Sequence, residues 1–274
     1  MNKQKQWIGQ KSALDLLEEA FFLLRQSKLS VLLTYFIGTL PFVLSFIYYL
    51  VNMWANTFAE KNIFQLSFII SILYLWMKSW QSVFIYKLRE QIYNRESSCL
   101  SPVQLTRLSA IQTIYQPWSF LFLPLSMVFT LPYAYVYSFF HNISFFGNGE
   151  EKDIKTVFNK SREQAVLWPG QNHILILITF FFASAVFINI CIMIFSVPYL
   201  IKTITGIETI FTKSGVNMLL NSTFYLISLG ITYIVINPFI KTIYLLRCFY
   251  GISLQSGDDL LVELKDYKNN HEDQ

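Results

Sequence analysis

Charge is scarce in this chain. Asp, Glu, Lys and Arg make up 14% of its 274 residues, against about 25% in ordinary globular domains. That deficit excludes a disordered chain and most soluble enzymes. Cysteine is nearly absent. Cys99, Cys191 and Cys248 are too few and too scattered for a disulfide framework, and Cys191, inside an apolar run, reads as a small hydrophobe. No contiguous Lys/Arg stripe suits nucleic acid. The phosphate-cradling G-x-x-x-x-G-K-[ST], a G-x-G-x-x-G after a strand, H-E-x-x-H and C-x-x-C are all missing. His141, His173 and His271 stand far apart, and His173, at the start of an apolar block, reads as interfacial rather than as a metal ligand. None of the 17 acids lies inside an apolar block. An intramembrane carboxylate is the usual mark of a proton or cation pathway, so a proton-coupled pump is disfavoured.

What is abundant is apolar and aromatic: 54% hydrophobic residues, with 26 Phe, 16 Tyr and 6 Trp. The pattern predicts an all-α, polytopic membrane protein in three parts. Residues 1–28 form a polar segment and an amphipathic helix. Residues 29–256 form one transmembrane domain, and 257–274 a short tail. The first apolar run, from Leu29, is too long for a signal-peptide core of about 7–15 residues and reads as a retained span. Ser12 and Asp15 suggest a capping box. Ala13, Leu14, Leu17, Ala20, Phe21 and Leu24 then recur at helical spacing, giving a helix that either lies in the headgroup layer or packs on other cytoplasmic segments. Spans are expected at about 29–55, 63–86, 111–131, 133–149, 174–201 and 214–245, each near the roughly 20 residues a bilayer requires. Pro41 and Asn237-Pro238 are kink signals, Asn56 to Asn62 a turn, and Ser101-Pro102 a helix start. Ser256-Gly257-Asp258-Asp259 ends one helix and can cap another. The segment 150–162 mixes acids with four bases, and Val157, Phe158, Ala165, Val166 and Trp168 lay it against the membrane surface.

The count of crossings turns on 108–149, which has no charged residue in 42 positions. Either it is one tilted helix, or Pro132 breaks it into a short, re-entrant or broken hairpin. Six crossings place 17 Lys and Arg on one side and only Lys61, Lys202 and Lys213 on the other; five crossings give 11 against 9. The excess of bases on cytoplasmic loops favours six, with both termini cytoplasmic in a bacterial inner membrane.

Lys78 is the lone charge inside a span. Ser67, Ser71, Tyr74, Lys78 and Gln81 or Ser82 share one helix face, while Trp76 and Trp80 lie away from it. Lys78 with Tyr74 and Gln81 is a candidate site for an anionic group such as a lipid phosphate. The simpler alternative is snorkelling of the long stem toward the interface. A second polar stripe, Asn217, Asn221, Tyr225, Ser228 and Thr232, reads first as interhelical hydrogen bonding and second as a substrate path.

Two stretches carry a family resemblance. Ala13-Leu14-Asp15-Leu16-Leu17-Glu18-Glu19-Ala20-Phe21, running into a first span, resembles the start of bacterial YciC-like membrane proteins, relatives of the membrane domain of some glycerophosphoryl diester phosphodiesterases. Asn237-Pro238-Phe239, Leu246-Arg247-Cys248-Phe249-Tyr250 and Gly257-Asp258-Asp259-Leu260 resemble their closing segment. The resemblance implies a six-helix membrane module of mostly unassigned activity. It implies no catalytic residues, and the phosphodiesterase activity belongs to a separate domain.

Together these readings predict a non-enzymatic membrane protein without metal or cofactor. Its partners are the lipid bilayer and another membrane protein, for which it is a scaffold or accessory subunit. The alternative is a small-solute or lipid transporter or flippase built around Lys78. A water-accessible cavity reaching Lys78 favours the transporter, and a tightly filled bundle the scaffold.

Overall fold

The computed structural model describes residues 11–55, 62–93, 100–128, 133–151, 153–209, 212–213, 215–262 and 264. Most of the expected turn at Asn56 to Asn62, the break at Pro132, the first ten residues and the tail from 265 onward lie outside them. The described residues form nine α-helices: α1 (Ala13–Gln26), α2 (Leu29–Ala55), α3 (Ile63–Ile92), α4 (Pro102–Tyr115), α5 (Ser119–Val128), α6 (Tyr133–Phe146), α7 (Ile154–Val166), α8 (Pro169–Thr205) and α9 (Ser222–Ser256). Four of them, α2, α3, α8 and α9, are long and apolar enough to cross a membrane. The chain is thus all-helical, with several membrane-length helices.

Local chemistry sets the ends. Ser12 and Asp15 make the reciprocal capping box of α1, and Ser101 and Gln104 that of α4, with Pro102 at its first turn. Hydrogen bonds from Ser12 hold the Asp15 carboxyl below its ordinary value of 3.8. Helix α8 is longer than the span expected at 174–201, because Pro169 supplies its first turn and Gly206, at φ 74°, its stop. Helix α9 begins only at Ser222, not at 214. The Asn221 side chain accepts from the Thr223 N–H and caps it, and residues 215–220 form a 3₁₀ turn. Gly257, at φ 71°, ends α9 as the Ser256-Gly257 signal implies.

The segment expected as 111–131 and 133–149 is divided. Pro117 lacks an N–H and sits in a 3₁₀ turn, Gln116–Trp118, that separates α4 from α5. Helix α6 has 14 residues, about 21 Å at 1.5 Å per residue, less than a hydrocarbon core of about 30 Å. It lies among α3, α4, α5, α7, α8 and α9. Phe140, Ile143, Phe145 and Phe146 are buried there with Tyr35, Phe84, Leu88 and Leu245. Helices α2 and α3 pack closely, since a Cβ on Gly38 would overlap the Trp80 side chain.

The start of α2, the ends of α3 and α9, the start of α8, and α1, α4, α6 and α7 gather at one end of the bundle. Lys11 and Glu19 bond Tyr250, Arg89 pairs with Glu150 at 2.7 Å, and Tyr93 donates to Asp258 at 3.1 Å. Helix α1 packs on protein. Ala13, Leu16, Leu17 and Ala20 are buried with Leu175, Phe239, Ile243 and Leu246, whereas Leu14 and Phe21 of the expected stripe are exposed. Helix α7 likewise turns Val157, Ser161 and Ala165 onto α6.

Candidate functional site

Three long helices and the Pro117 elbow enclose a cavity of about 620 Å³. Its wall is apolar. Phe42, Val43, Phe46 and Leu50 come from α2, Ile70, Leu75 and Met77 from α3, and Leu226 and Leu229 from α9. Among the described residues the polar lining is Ser71, Tyr74, Tyr233 and one charged residue, Lys78. The candidate residues Lys78 and Tyr74 therefore meet here, with the Lys78 ammonium 5.3 Å from the centre of the Tyr74 ring. Gln81 is one turn further and fully buried. Its Nε2 donates to Tyr233 Oη at 3.3 Å and to Thr39 Oγ1 at 3.4 Å.

The cavity has a direction. Helix α2 runs away from the gathered end and α3 and α9 run toward it, so Phe42, Lys78 and Tyr233 line its near part and Leu50, Ile70 and Leu226 its far part. Polarity collects at the near part and hydrocarbon at the far part. Phe46, Phe120 and Leu229 are exposed, so the opening reaches the apolar perimeter of the bundle. Lys78 stands 15 residues beyond Ile63 and 14 before Ile92, at the middle of α3.

A polar seam continues from that end of the cavity. Tyr74 Oη donates to the Gln116 carbonyl at 3.2 Å and lies 3.1 Å from Ser119 Oγ. Gln116 Nε2 donates to Gln112 Oε1 at 3.1 Å and reaches Ser144 Oγ at 3.4 Å. Ser144 in turn receives the Lys241 ammonium at 3.0 Å. Lys241 is 2% exposed, and His141 stacks on Tyr244 with the Tyr137 ring tilted against it. The ion pairs of the described residues, Lys11–Glu19, Arg89–Glu150, Lys160–Glu151 and Lys202–Glu208, lie toward the two ends of the bundle. Among the described residues no carboxylate answers Lys78 or Lys241, and no group of three His, Cys, Asp or Glu is placed to hold a metal.

Arg247 is the other buried cation, at 1% exposure, and it is answered. Its guanidinium donates to Ser138 Oγ at 2.8 Å, to the Gln164 carbonyl at 3.1 Å and to the Leu167 carbonyl. Two of those acceptors close the C-terminus of α7, where the helix dipole favours a cation. The next residue, Trp168, is held at φ 51°, a region costly for a bulky side chain.

The second sequence stripe is dispersed. Asn217 is in the 3₁₀ turn, Asn221 caps α9, and Tyr225 is exposed. Ser228 is buried and bonds the Phe224 carbonyl of its own helix, and Thr232 bonds Ser228 in the same way. Lys241 and Arg247, which sequence reasoning counted among cytoplasmic bases following the last apolar block, are instead buried within α9. A usable signal was present in α6. Ser138, Asn142 and Ser144 are small polar residues in an otherwise aromatic helix, and their side chains meet Arg247, Cys248 and Lys241 respectively.

No family model, no curated protein and no solved structure matches this chain.

Proposed function

We propose that this protein is an integral membrane protein that binds one single-chain amphiphile by an anionic head. The head sits at Lys78 and the tail along Phe46, Leu50, Ile70 and Leu226. The observation that supports this reading is the apolar cavity of about 620 Å³ with Lys78 as its only charged lining residue among the described residues. The volume falls within the range of about 300–1,000 Å³ typical of sites for one small ligand. A scaffold role rests on missing motifs, whereas the cavity is a positive feature. Beneath Tyr233 the polar end is closed by Gln81 and Thr39, which favours binding over passage through the bundle. The resemblance of the two chain ends to YciC-like membrane proteins accords with a non-catalytic role.

The test is laurate binding to delipidated protein in a non-ionic detergent. A charge-assisted hydrogen bond contributes about 1.5–3 kcal/mol, so Lys78→Met is expected to weaken laurate at least tenfold and leave thermal stability unchanged or slightly raised. Equal affinity of wild type for laurate and for dodecylphosphocholine, or an unaltered Lys78→Met, contradicts the reading and returns Lys78 to snorkelling.

We further propose that the gathered end is the cytoplasmic face of a bacterial inner membrane and that α5 and α6 form a re-entrant hairpin. With Lys241 and Arg247 set aside as buried in α9, bases still divide 15 to 3, which supports the side, and the shortness and burial of α6 support the hairpin. In a cysteine-free background, single cysteines at Asn159, Thr205 and Val128 would be exposed to an impermeant thiol reagent on intact spheroplasts. Label is expected at position 205 only. Label at 159 would reverse the sidedness, and label at 128 would make the hairpin two full crossings.

A further inference from the structure

Lys78 lines the polar end of the cavity and Lys241 lies further along the seam behind it, and both differ from Arg247 in how their charge is met. Arg247 donates to two carbonyls at a helix C-terminus, where the local dipole is negative. Lys241 has a single neutral partner, Ser144, which leaves two of its three donors unassigned among the described residues. Lys78 has the face of one tyrosine. Uncompensated buried charge is costly; Lys241 is buried and Lys78 half-buried, and no ion pair of the described residues joins a carboxylate to either amine.

The two amines share one seam. Tyr74 lines the cavity and donates to the Gln116 carbonyl, the Gln116 amide reaches Ser144, and Ser144 receives Lys241. The Oε1 of Gln116, buried beside this seam, has no hydrogen-bond partner among the described residues. The Tyr233 hydroxyl meets Gln81 and Met77, which sets Tyr233 level with residues 77–81 of α3. Lys241 comes eight residues later in α9 and so lies about 12 Å nearer the gathered end, at 1.5 Å per residue.

We propose that Lys241 is a positioning residue that adds a second positive charge behind the head site, so that the preferred ligand is a single-chain phosphate monoester rather than a carboxylate. A monoester carries about −1.5 to −2 charge at pH 7 and balances both amines, whereas a carboxylate leaves one unbalanced. The proposal rests on the cavity reading above. The tail would lie in the apolar part and the phosphate would face Lys78, with Lys241 acting on it through the field rather than by contact.

Dodecyl phosphate and laurate, titrated against the wild type, Lys78→Met and Lys241→Met, separate the two claims. The wild type is expected to prefer dodecyl phosphate at least tenfold. Lys241→Met is expected to lose about tenfold for dodecyl phosphate while holding laurate within about twofold, which also reports an intact fold. Lys241→Gln keeps a hydrogen bond to Ser144 without the charge, and should match Lys241→Met. Inorganic phosphate is expected not to displace dodecyl phosphate; displacement would overturn the lipid assignment. Unchanged dodecyl phosphate affinity in both Lys241 variants, with Lys78→Met still impaired for both ligands, overturns this inference and leaves the cavity reading standing. Unimpaired Lys78→Met overturns both.

Discussion

Arg247→Met is expected to lower the unfolding free energy of the detergent-solubilised protein by about 2–4 kcal/mol, because it orphans acceptors that cost about 1–3 kcal/mol each when buried and unpaired. The acceptors are the carbonyls of Gln164 and Leu167, whereas Ser138 Oγ keeps the Asn142 amide at 3.4 Å. Part of that loss returns, since a desolvated guanidinium is removed and methionine keeps most of the apolar stem. The damage should be local. Leu167 and Trp168 form the elbow between α7 and α8, and Trp168 holds a left-handed backbone conformation that its surroundings must enforce. Arg247→Lys should recover only part of the stability, because a point-charge ammonium cannot span both carbonyls as a planar fork does. Thermal unfolding of the three proteins measures this, and equal midpoints would show that the elbow is held by packing alone.

Filling the cavity is expected to abolish binding without touching its charge. Val43 is 5% exposed and lines the cavity, where it also meets Gly230 across the α2–α9 contact. Val43→Phe directs added volume into that space. Leu226→Trp does so from the far end, away from Lys78. Overpacking a filled core costs about 1–3 kcal/mol, but here the space beside the new ring is empty and the cost should fall below that range. Laurate affinity should drop roughly a hundredfold in either variant, a loss of about 2.7 kcal/mol, with little change in unfolding midpoint. Retained affinity in both would place the ligand elsewhere on the protein.

Different parts of this arrangement were legible in the sequence to different degrees, for physical reasons. Lys78 was visible because a lone charge in an apolar run needs no context to stand out. Tyr74 and Gln81 followed from helical spacing alone. Lys241 and Arg247 were not visible. Each follows an apolar block, and nothing local says whether the next helical turns meet water or other helices. Here α6 and α7 cover them, and burial by distant segments leaves no mark on a hydropathy window. The basic asymmetry has a similar limit. It depends on whether 108–149 returns to the side it left, so a re-entrant hairpin and two full crossings give the same 17-to-3 split. The helix ends were the most legible feature. Ser12, Ser101 and Gly257 act within a single turn, so neighbouring residues suffice to specify them. The expected stripe of α9 failed where it assumed one continuous helix from 214. Asn221 caps the helix there instead, and a side chain spent on a cap is not available to a neighbouring span.

The most direct test of the cavity is covalent. A single-chain alkyl phosphate with a photoreactive group midway along the chain would be bound to the wild type and to Lys78→Met, irradiated, and the adducts located by peptide mass spectrometry. Adducts are expected in 42–50, 70–78 and 226–233, which line the cavity, and should fall at least tenfold in Lys78→Met. Adducts spread over the exposed apolar face of α8, around Phe180, Phe181 and Ile188, and equal in the two proteins, would contradict a ligand held by Lys78.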